Sequence, residues 1–225
     1  MTTILVIVGP SGSGKTTLSA FLEEKGIPKV TTTTTRPQRP NEIDGIDYNF
    51  ISKDAFYEAL EAGDFIEHAT YNDNMYGCTK FDIERALANA DASDAPAVSI
   101  VMEIEGLFAM RSVCGHEGNV RCLFMSPDPA KIIERLNARG MTDDDLAYRR
   151  SAILNEAANI KHLLPSDMII GDHTLDELDE LSSMIAGDPA YQEHDEAAEE
   201  HISIDAALAS LNGQKSPGDF SGVSP

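Results

Sequence analysis

The chain has no tryptophan and only 6% aromatic residues. Its three cysteines, Cys78, Cys114 and Cys122, make neither a zinc spacing nor an even set for a disulfide framework, so reduced thiols in a cytoplasmic protein are expected. Long apolar runs are missing too. The run Ile4–Val8 is far shorter than the roughly 20 residues that cross a bilayer. No basic stretch followed by an apolar core opens the chain, so no signal peptide is expected. Positive charge is scarce, with 17 Lys and Arg against 38 Asp and Glu, a net charge of −21. That balance argues against nucleic acid or an anionic membrane as partner, since both are polyanions. The charges are also uneven. After Lys161 only Lys215 remains, against fourteen acids, so any anion site belongs to the first 161 residues.

What is present is one good-sized domain's worth of ordinary globular sequence, 225 residues at 42% hydrophobic, with a tail. Apolar stretches predict strands at Ile4–Val8, Val30–Thr34, Tyr48–Ile51, Phe65–Ala69, Ala97–Met102, Arg121–Met125 and Met168–Ile170. Helical patterns cover Lys15–Lys25, Lys53–Ala62, Lys80–Ala90, Leu107–Val113, Pro129–Ala138, Thr142–His162 and Leu175–Ala186, with Ser52 and Asp128 as N-caps. The alternation predicts an α/β fold, a parallel sheet flanked by helices on both faces. Short strands in quick succession between Thr31 and Ala69 predict a small inserted β-rich subdomain. After Gly187 the composition turns acidic and then rich in Gly, Ser and Pro, so 188–225 reads as a largely disordered tail with one short amphipathic stretch, of no identified protein partner.

One motif stands out. Gly9-Pro10-Ser11-Gly12-Ser13-Gly14-Lys15-Thr16 matches G-x-x-x-x-G-K-[ST], the loop that wraps nucleoside triphosphate phosphates. It follows a continuous apolar run and opens a helix at Thr17-Leu18, as its mechanism requires. Glycines let backbone N–H groups converge on phosphate oxygens, and the helix N-terminus adds partial positive charge. Lys15 would reach the β- and γ-phosphates, and the Thr16 hydroxyl would ligate Mg²⁺. The ATP-binding set is therefore Gly9, Pro10, Ser11, Gly12, Ser13, Gly14, Lys15, Thr16 and Thr17.

Further along, Thr35-Arg36-Pro37-Gln38-Arg39-Pro40 sets two guanidiniums three residues apart beside a polar strand, a bidentate fork for phosphate. Tyr48 and Tyr76 add hydroxyl donors, and Phe65-Ile66-Glu67 carries a carboxylate directly after an apolar pair. The spacing Thr34-Thr35-Arg36-x-x-Arg39-x-x-Glu42-x-x-Gly45-x-x-Tyr48-x-Phe50, then Phe65-Ile66-Glu67, then Tyr76-Gly77-Cys78-Thr79 resembles guanylate kinase. Arg135-Leu136-Asn137-Ala138-Arg139-Gly140 and Arg150 resemble that family's lid, and the likeness covers about residues 3–186.

The resemblance implies a P-loop kinase fold over residues 1–187, with a nucleoside-monophosphate-binding subdomain at about 31–79 and a helical lid at about 135–150. It implies that Thr32, Arg36, Arg39, Tyr48 and Tyr76 hold the acceptor phosphate. Glu67 would read the guanine edge, with Cys78 and Glu105 assisting. Arg135, Arg139 and Arg150 would contact the phosphates during transfer, and Lys15 and Arg36 would share the catalytic role. Three departures from the family stand in this chain. Cys78 replaces a Ser or Thr, Glu103-Ile104-Glu105-Gly106 replaces Asp-Ile-Asp without the usual Gln-Gly after it, and Gly171-Asp172 replaces Asn-Asp near the donor adenine. The departures at Cys78 and Glu105 predict weaker discrimination against other purines than a typical member shows.

The expected activity is ATP- and Mg²⁺-dependent phosphorylation of GMP, and of dGMP, to the diphosphate. The alternatives are a related small kinase with broader nucleoside monophosphate or ribose bisphosphate specificity, and a non-catalytic guanylate-kinase-like binding module. Such modules usually lose the loop lysine, and Lys15 is intact here.

Overall fold

The computed structural model describes residues 2–71, 73–115, 119–138 and 158–188. Helix α1 spans Lys15–Glu24, α2 Lys53–Glu61, α3 Lys80–Ala92, α4 Ile104–Cys114, α5 Pro129–Ala138 and α6 Leu175–Gly187. Strands are β1 Thr3–Val8, β2 Thr33–Thr34, β3 Asn49–Phe50, β4 Phe65–Tyr71, β5 Asn74–Thr79, β6 Ala97–Val101, β7 Val120–Met125 and β8 Met168–Ile170.

The main sheet has the order β6-β1-β7-β8, and every pairing in it is parallel. A parallel sheet is covered on both faces, so its central strands are apolar throughout. Strand β1 shows this: Ile4, Val6 and Val8 enter one core with Ile83, Leu107 and Met110 of α3 and α4. Leu5 and Ile7 enter the other, with Leu18 and Leu22 of α1 and Leu178, Leu181 and Ile185 of α6. The loop after β1 emerges at the carboxyl edge of this sheet.

The inserted subdomain is a second sheet of order β3-β2-β5-β4. Strand β4 pairs antiparallel with β5, and β2 runs antiparallel to β5 and parallel to β3. The expected strand over Val30–Thr34 proves to be a crossing between sheets. Residues around Lys29 bridge Ser99 at the edge of the main sheet, with Val30 N–H donating to Ser99 O at 2.8 Å. Only Thr33 and Thr34 join the smaller ladder. Strand β5 was not predicted, because Gly77 weakens the strand signal. The glycine is required there: a Cβ would lie 2.6 Å from Cδ1 of Phe65 and 2.8 Å from Glu67 O.

Helix starts follow local capping. Ser52 accepts from Ala55 N–H at 3.1 Å, and Asp128 Oδ1 accepts from Ala130 N–H at 2.7 Å. Thr79 with Asp82 and Thr174 with Glu177 form capping boxes. Helix α4 begins at Ile104, three residues before the predicted start, because Gly106 is a packing residue rather than a breaker. Its Cβ would lie 3.0 Å from Met102 Cβ and 3.3 Å from Glu67 Cγ. Of the predicted helix Thr142–His162, the described part Ala158–His162 is a 3₁₀ turn and the remainder lies outside the described residues, as do Arg139, Arg150 and 189–225.

Candidate active site

The phosphate loop turns back between β1 and α1. Gly9, Gly12 and Gly14 have φ of 144, 89 and 108°, a region closed to most side chains. At Gly9 the requirement is doubled, since a Cβ would stand 2.4 Å from Met125 O. Ser13 N–H donates to Pro10 O at 3.1 Å, closing the loop. The Lys15 ammonium donates to the carbonyl of Gly9, and to that of Pro10 at 3.2 Å. Pro10 is buried and Ser11 exposed. Ser13 Oγ is buried without a hydrogen-bond partner among the described residues. Thr16 is exposed in the first turn of α1.

Arg135, on the last turn of α5, reaches back to this loop, its Nη1 3.4 Å from Gly12 O. A cavity of about 380 Å³ opens beside it, between Gly14 and Thr17 on one side and Gly171, His173 and Leu175 on the other. Asp172 ties its far wall to α5: Oδ2 is 3.0 Å from Lys131 Nζ and Oδ1 accepts from Asp128 N–H at 3.0 Å.

The Arg and Tyr residues expected at the acceptor lie clustered on the small sheet. The Arg36 guanidinium is paired with both oxygens of Glu42, at 2.7 and 2.9 Å, and lies 5.4 Å from the Tyr48 ring centre. Tyr48 and Tyr76 meet edge to face at 6.1 Å. Glu42 Oε2 also accepts from Arg39 N–H at 2.9 Å, and the Arg39 residue itself is exposed. Arg36 and the Arg39 N–H hold the Glu42 carboxyl down at about 2, the side-chain bond from Arg36 acting most strongly. The Arg36 guanidinium in turn binds its proton more tightly, chiefly through Glu42 and with a contribution from Tyr76. Burial pushes the Tyr48 hydroxyl up. The Thr32 carbonyl accepts from Asn49 N–H at 2.8 Å, locking β2 to β3.

Buried Asp82 holds these strands together. Its Oδ2 accepts from Thr33 Oγ1 at 3.2 Å and Thr79 N–H at 2.9 Å, and its Oδ1 from Asn49 Nδ2 at 2.8 Å. Sequence reasoning named neither Asp82 nor Glu42 as a functional group. Glu42 was within reach, three residues after Arg39 in the quoted pattern. Asp82 was not, since its partners are up to 49 residues away.

Glu67 stands on β4, at the edge of the small sheet. The register of β4 on β5 jumps between Phe65 and Glu67, a bulge that re-aims the side chain. Gly106 lets α4 approach it. Burial pushes the Glu67 carboxyl above its ordinary range, and the charge of Glu103 adds to the effect. Glu103, rather than Glu105, is the acid whose charge reaches Glu67; Glu105 is exposed on the first turn of α4. Cys78, paired with Glu67 across the ladder, is fully buried, and its thiol points to Thr79 O at 3.6 Å. Burial pushes that thiol up strongly.

The described residues thus gather Lys15, Thr17 and Arg135 at the phosphate loop, and Arg36, Arg39, Tyr48 and Tyr76 on the inserted sheet, which also carries Glu67. A phosphate loop at the carboxyl edge of a parallel sheet, with an Arg and Tyr cluster on an inserted sheet, defines a P-loop kinase. The sequence model of the guanylate kinase family matches residues 1–187. A guanylate kinase of Helicobacter pylori is 32% identical over 187 residues, covering 81% of this chain and 85% of its own length. One from Hahella chejuensis is 36% identical over 183 residues, covering 78% and 83%. The crystal structure of guanylate kinase from Anaplasma phagocytophilum superimposes with a TM-score of 0.59, covering 95% of this chain and 97% of that one, at 22% identity, which speaks to fold. The chain belongs to the guanylate kinase family. No helix among the described residues is long and apolar enough to cross a membrane.

Proposed function

We infer that the chain is an ATP:GMP phosphotransferase, making GDP and ADP, with dGMP as a second acceptor. The observation that carries this is the family match over residues 1–187, with the loop lysine and the acceptor Arg and Tyr cluster all intact. An inactive binding module would have no use for Lys15. A ribose bisphosphate acceptor would have no use for a carboxylate at Glu67.

The acceptor phosphate is already an anion, so catalysis needs positioning and charge neutralisation rather than a base. Lys15 sits where a triphosphate enters the loop, and it exchanges the carbonyls of Gly9 and Pro10 for phosphate oxygens. The unpartnered Ser13 hydroxyl is a ready donor to the same anion. Arg36 and Arg39, with the hydroxyls of Tyr48, Tyr76 and Thr32, hold the acceptor phosphate. Arg135, already over the loop, neutralises charge on the group in flight, joined by Arg139 and Arg150.

Mg²⁺ fits this site. The exposed Thr16 hydroxyl is a hard oxygen ligand, and among the described residues no three His, Cys, Asp or Glu side chains gather into a cage, so the ion would be held chiefly by nucleotide phosphates. Bound, it would draw charge from the β- and γ-phosphate oxygens.

Guanine offers N1–H and its 2-amino group as adjacent donors, and one carboxylate, Glu67, accepts from both. Adenine lacks that pair and would leave a half-buried carboxylate unpaired, at a cost of about 1–3 kcal/mol. The buried Cys78 is a weak partner at the same edge. The free cysteines suit a reducing compartment, and we assign the enzyme to the cytoplasm. The test is ADP release with ATP across the common ribo- and deoxynucleoside monophosphates. GMP and dGMP should lead; equal turnover of AMP, or none of GMP, would refute the reading.

A further inference from the structure

The cavity beside the phosphate loop raises a question the acceptor half does not answer: what reads the base of the phosphate donor. Its position next to Gly12–Gly14 suits the nucleoside of a triphosphate whose phosphates lie in the loop, and about 380 Å³ is room for one. Leu175, Leu178 and Met125 give apolar walls. Polar groups on the far wall are few, and most are committed. Asp172, which stands between the lining residues Gly171 and His173 without lining the cavity itself, is bound to Lys131 and to the N–H of Asp128. Thr174 spends its hydroxyl in the capping box of α6, donating to Glu177 and accepting from its N–H. Gly171 has no side chain, and a Cβ built there meets nothing within 4 Å. Arg135 is engaged at the loop.

His173 remains. Its Nδ1 lies 2.7 Å from Gly171 O. A carbonyl only accepts, so Nδ1 carries the hydrogen and the neutral ring keeps its lone pair on Nε2. That leaves Nε2 without a hydrogen-bond partner among the described residues, on a side chain that lines the cavity. An acceptor there suits a base with an exocyclic amine, as adenine has at C6. It opposes a base with a carbonyl at that position, where two acceptors would face each other.

We propose that His173 selects the donor's base, accepting from the C6 amine of adenine through Nε2 and so disfavouring 6-oxopurine triphosphates. The proposal rests on placing the donor in this cavity, as the functional reading above does.

Two variants test it, His173→Phe, which keeps a ring without nitrogens, and His173→Gln, whose amide oxygen falls near the position of Nε2. KM would be measured for ATP, ITP, dATP and GMP, with calorimetric binding of ADP and IDP. In His173→Phe, the KM for ATP and the Kd for ADP should rise about fivefold, the scale of one neutral hydrogen bond, with dATP following ATP. ITP and IDP should bind no more weakly than to the parent, GMP should stay within about twofold, and His173→Gln should recover part of the adenine preference. An unchanged ATP-to-ITP ratio in a folded His173→Phe would overturn the proposal. So would an equal loss on both donors, or a loss on ATP that dATP escapes, which would put the ring on the ribose hydroxyl. The ADP and IDP binding arm needs no turnover, so it still decides the role of His173 if GMP phosphorylation itself is absent.

Discussion

Arg36 and Glu42 form a two-point pair, with Nη1 2.9 Å from Oε2 and Nη2 2.7 Å from Oε1. The pair lies beside the Tyr48 ring, and Glu42 also takes the backbone N–H of Arg39. One carboxylate therefore fixes the Arg36 guanidinium and the backbone of the Arg36–Arg39 turn before any nucleotide arrives, which lowers the ordering cost on binding.

Loss of that carboxylate should show in acceptor binding. Glu42→Gln keeps the shape and removes the charge, so the KM for GMP should rise about tenfold while the KM for ATP stays. Steady-state kinetics with each substrate varied in turn would check this. A change shared by both substrates would point to general unfolding instead.

The same pair has a pH signature. The Glu42 carboxyl is depressed to about 2, against an ordinary value of 4.5. A depressed acid contributes stability that is present above its unfolded value and is lost as pH falls toward the folded one. The local order of the acceptor loop should therefore survive to about pH 4.5 and fade between there and about pH 2. The carboxyl carbon of Glu42, followed by NMR, should titrate with a midpoint near 2; an ordinary midpoint would contradict the pairing.

Glu67 runs the other way. Burial and Glu103 raise its proton affinity, so the empty site holds its proton to higher pH than an ordinary glutamate. On the proposed role of Glu67, guanine is read by the ionised form, so KM for GMP should increase on acidification, beginning above the ordinary carboxylate range, with KM for ATP flat. Glu67→Gln should abolish that pH dependence and impair GMP far more than ATP. Equal GMP efficiency in the variant would remove Glu67 as the base reader.

Gly9→Ala should destabilise the whole chain. The residue sits at φ 144°, and the new Cβ would stand 2.4 Å from Met125 O. Strain of this kind costs about 2 kcal/mol or more, a fall in Tm of roughly 4–8 °C for a domain of this size. A variant melting like the parent would show that the loop relaxes freely.

Much of this was legible in the sequence, for local reasons. The phosphate loop is eight consecutive residues between an apolar run and a helix, and capping at Ser52 and Asp128 is likewise short-range. The arginine fork and Glu67 were legible through their spacing. What escaped depends on contacts distant in sequence. Strand β5 was hidden by Gly77, whose reason is the ring of Phe65 lying over it. The early start of α4 was hidden by Gly106, whose reason is Glu67. Asp82 joins Thr33, Asn49 and Thr79, a set that exists only once three strands have assembled.

The central claim is phosphoryl transfer from ATP to GMP assisted by Lys15, and the most direct measurement is GMP-dependent ADP formation by the parent chain and by Lys15→Met. The parent should turn over GMP in clear preference to AMP, CMP and UMP. The variant should keep its Tm and lose at least about a hundredfold in kcat, the scale of one phosphate-stabilising charge. A folded Lys15→Met with near-parental turnover, or a parent indifferent to GMP, would contradict the account.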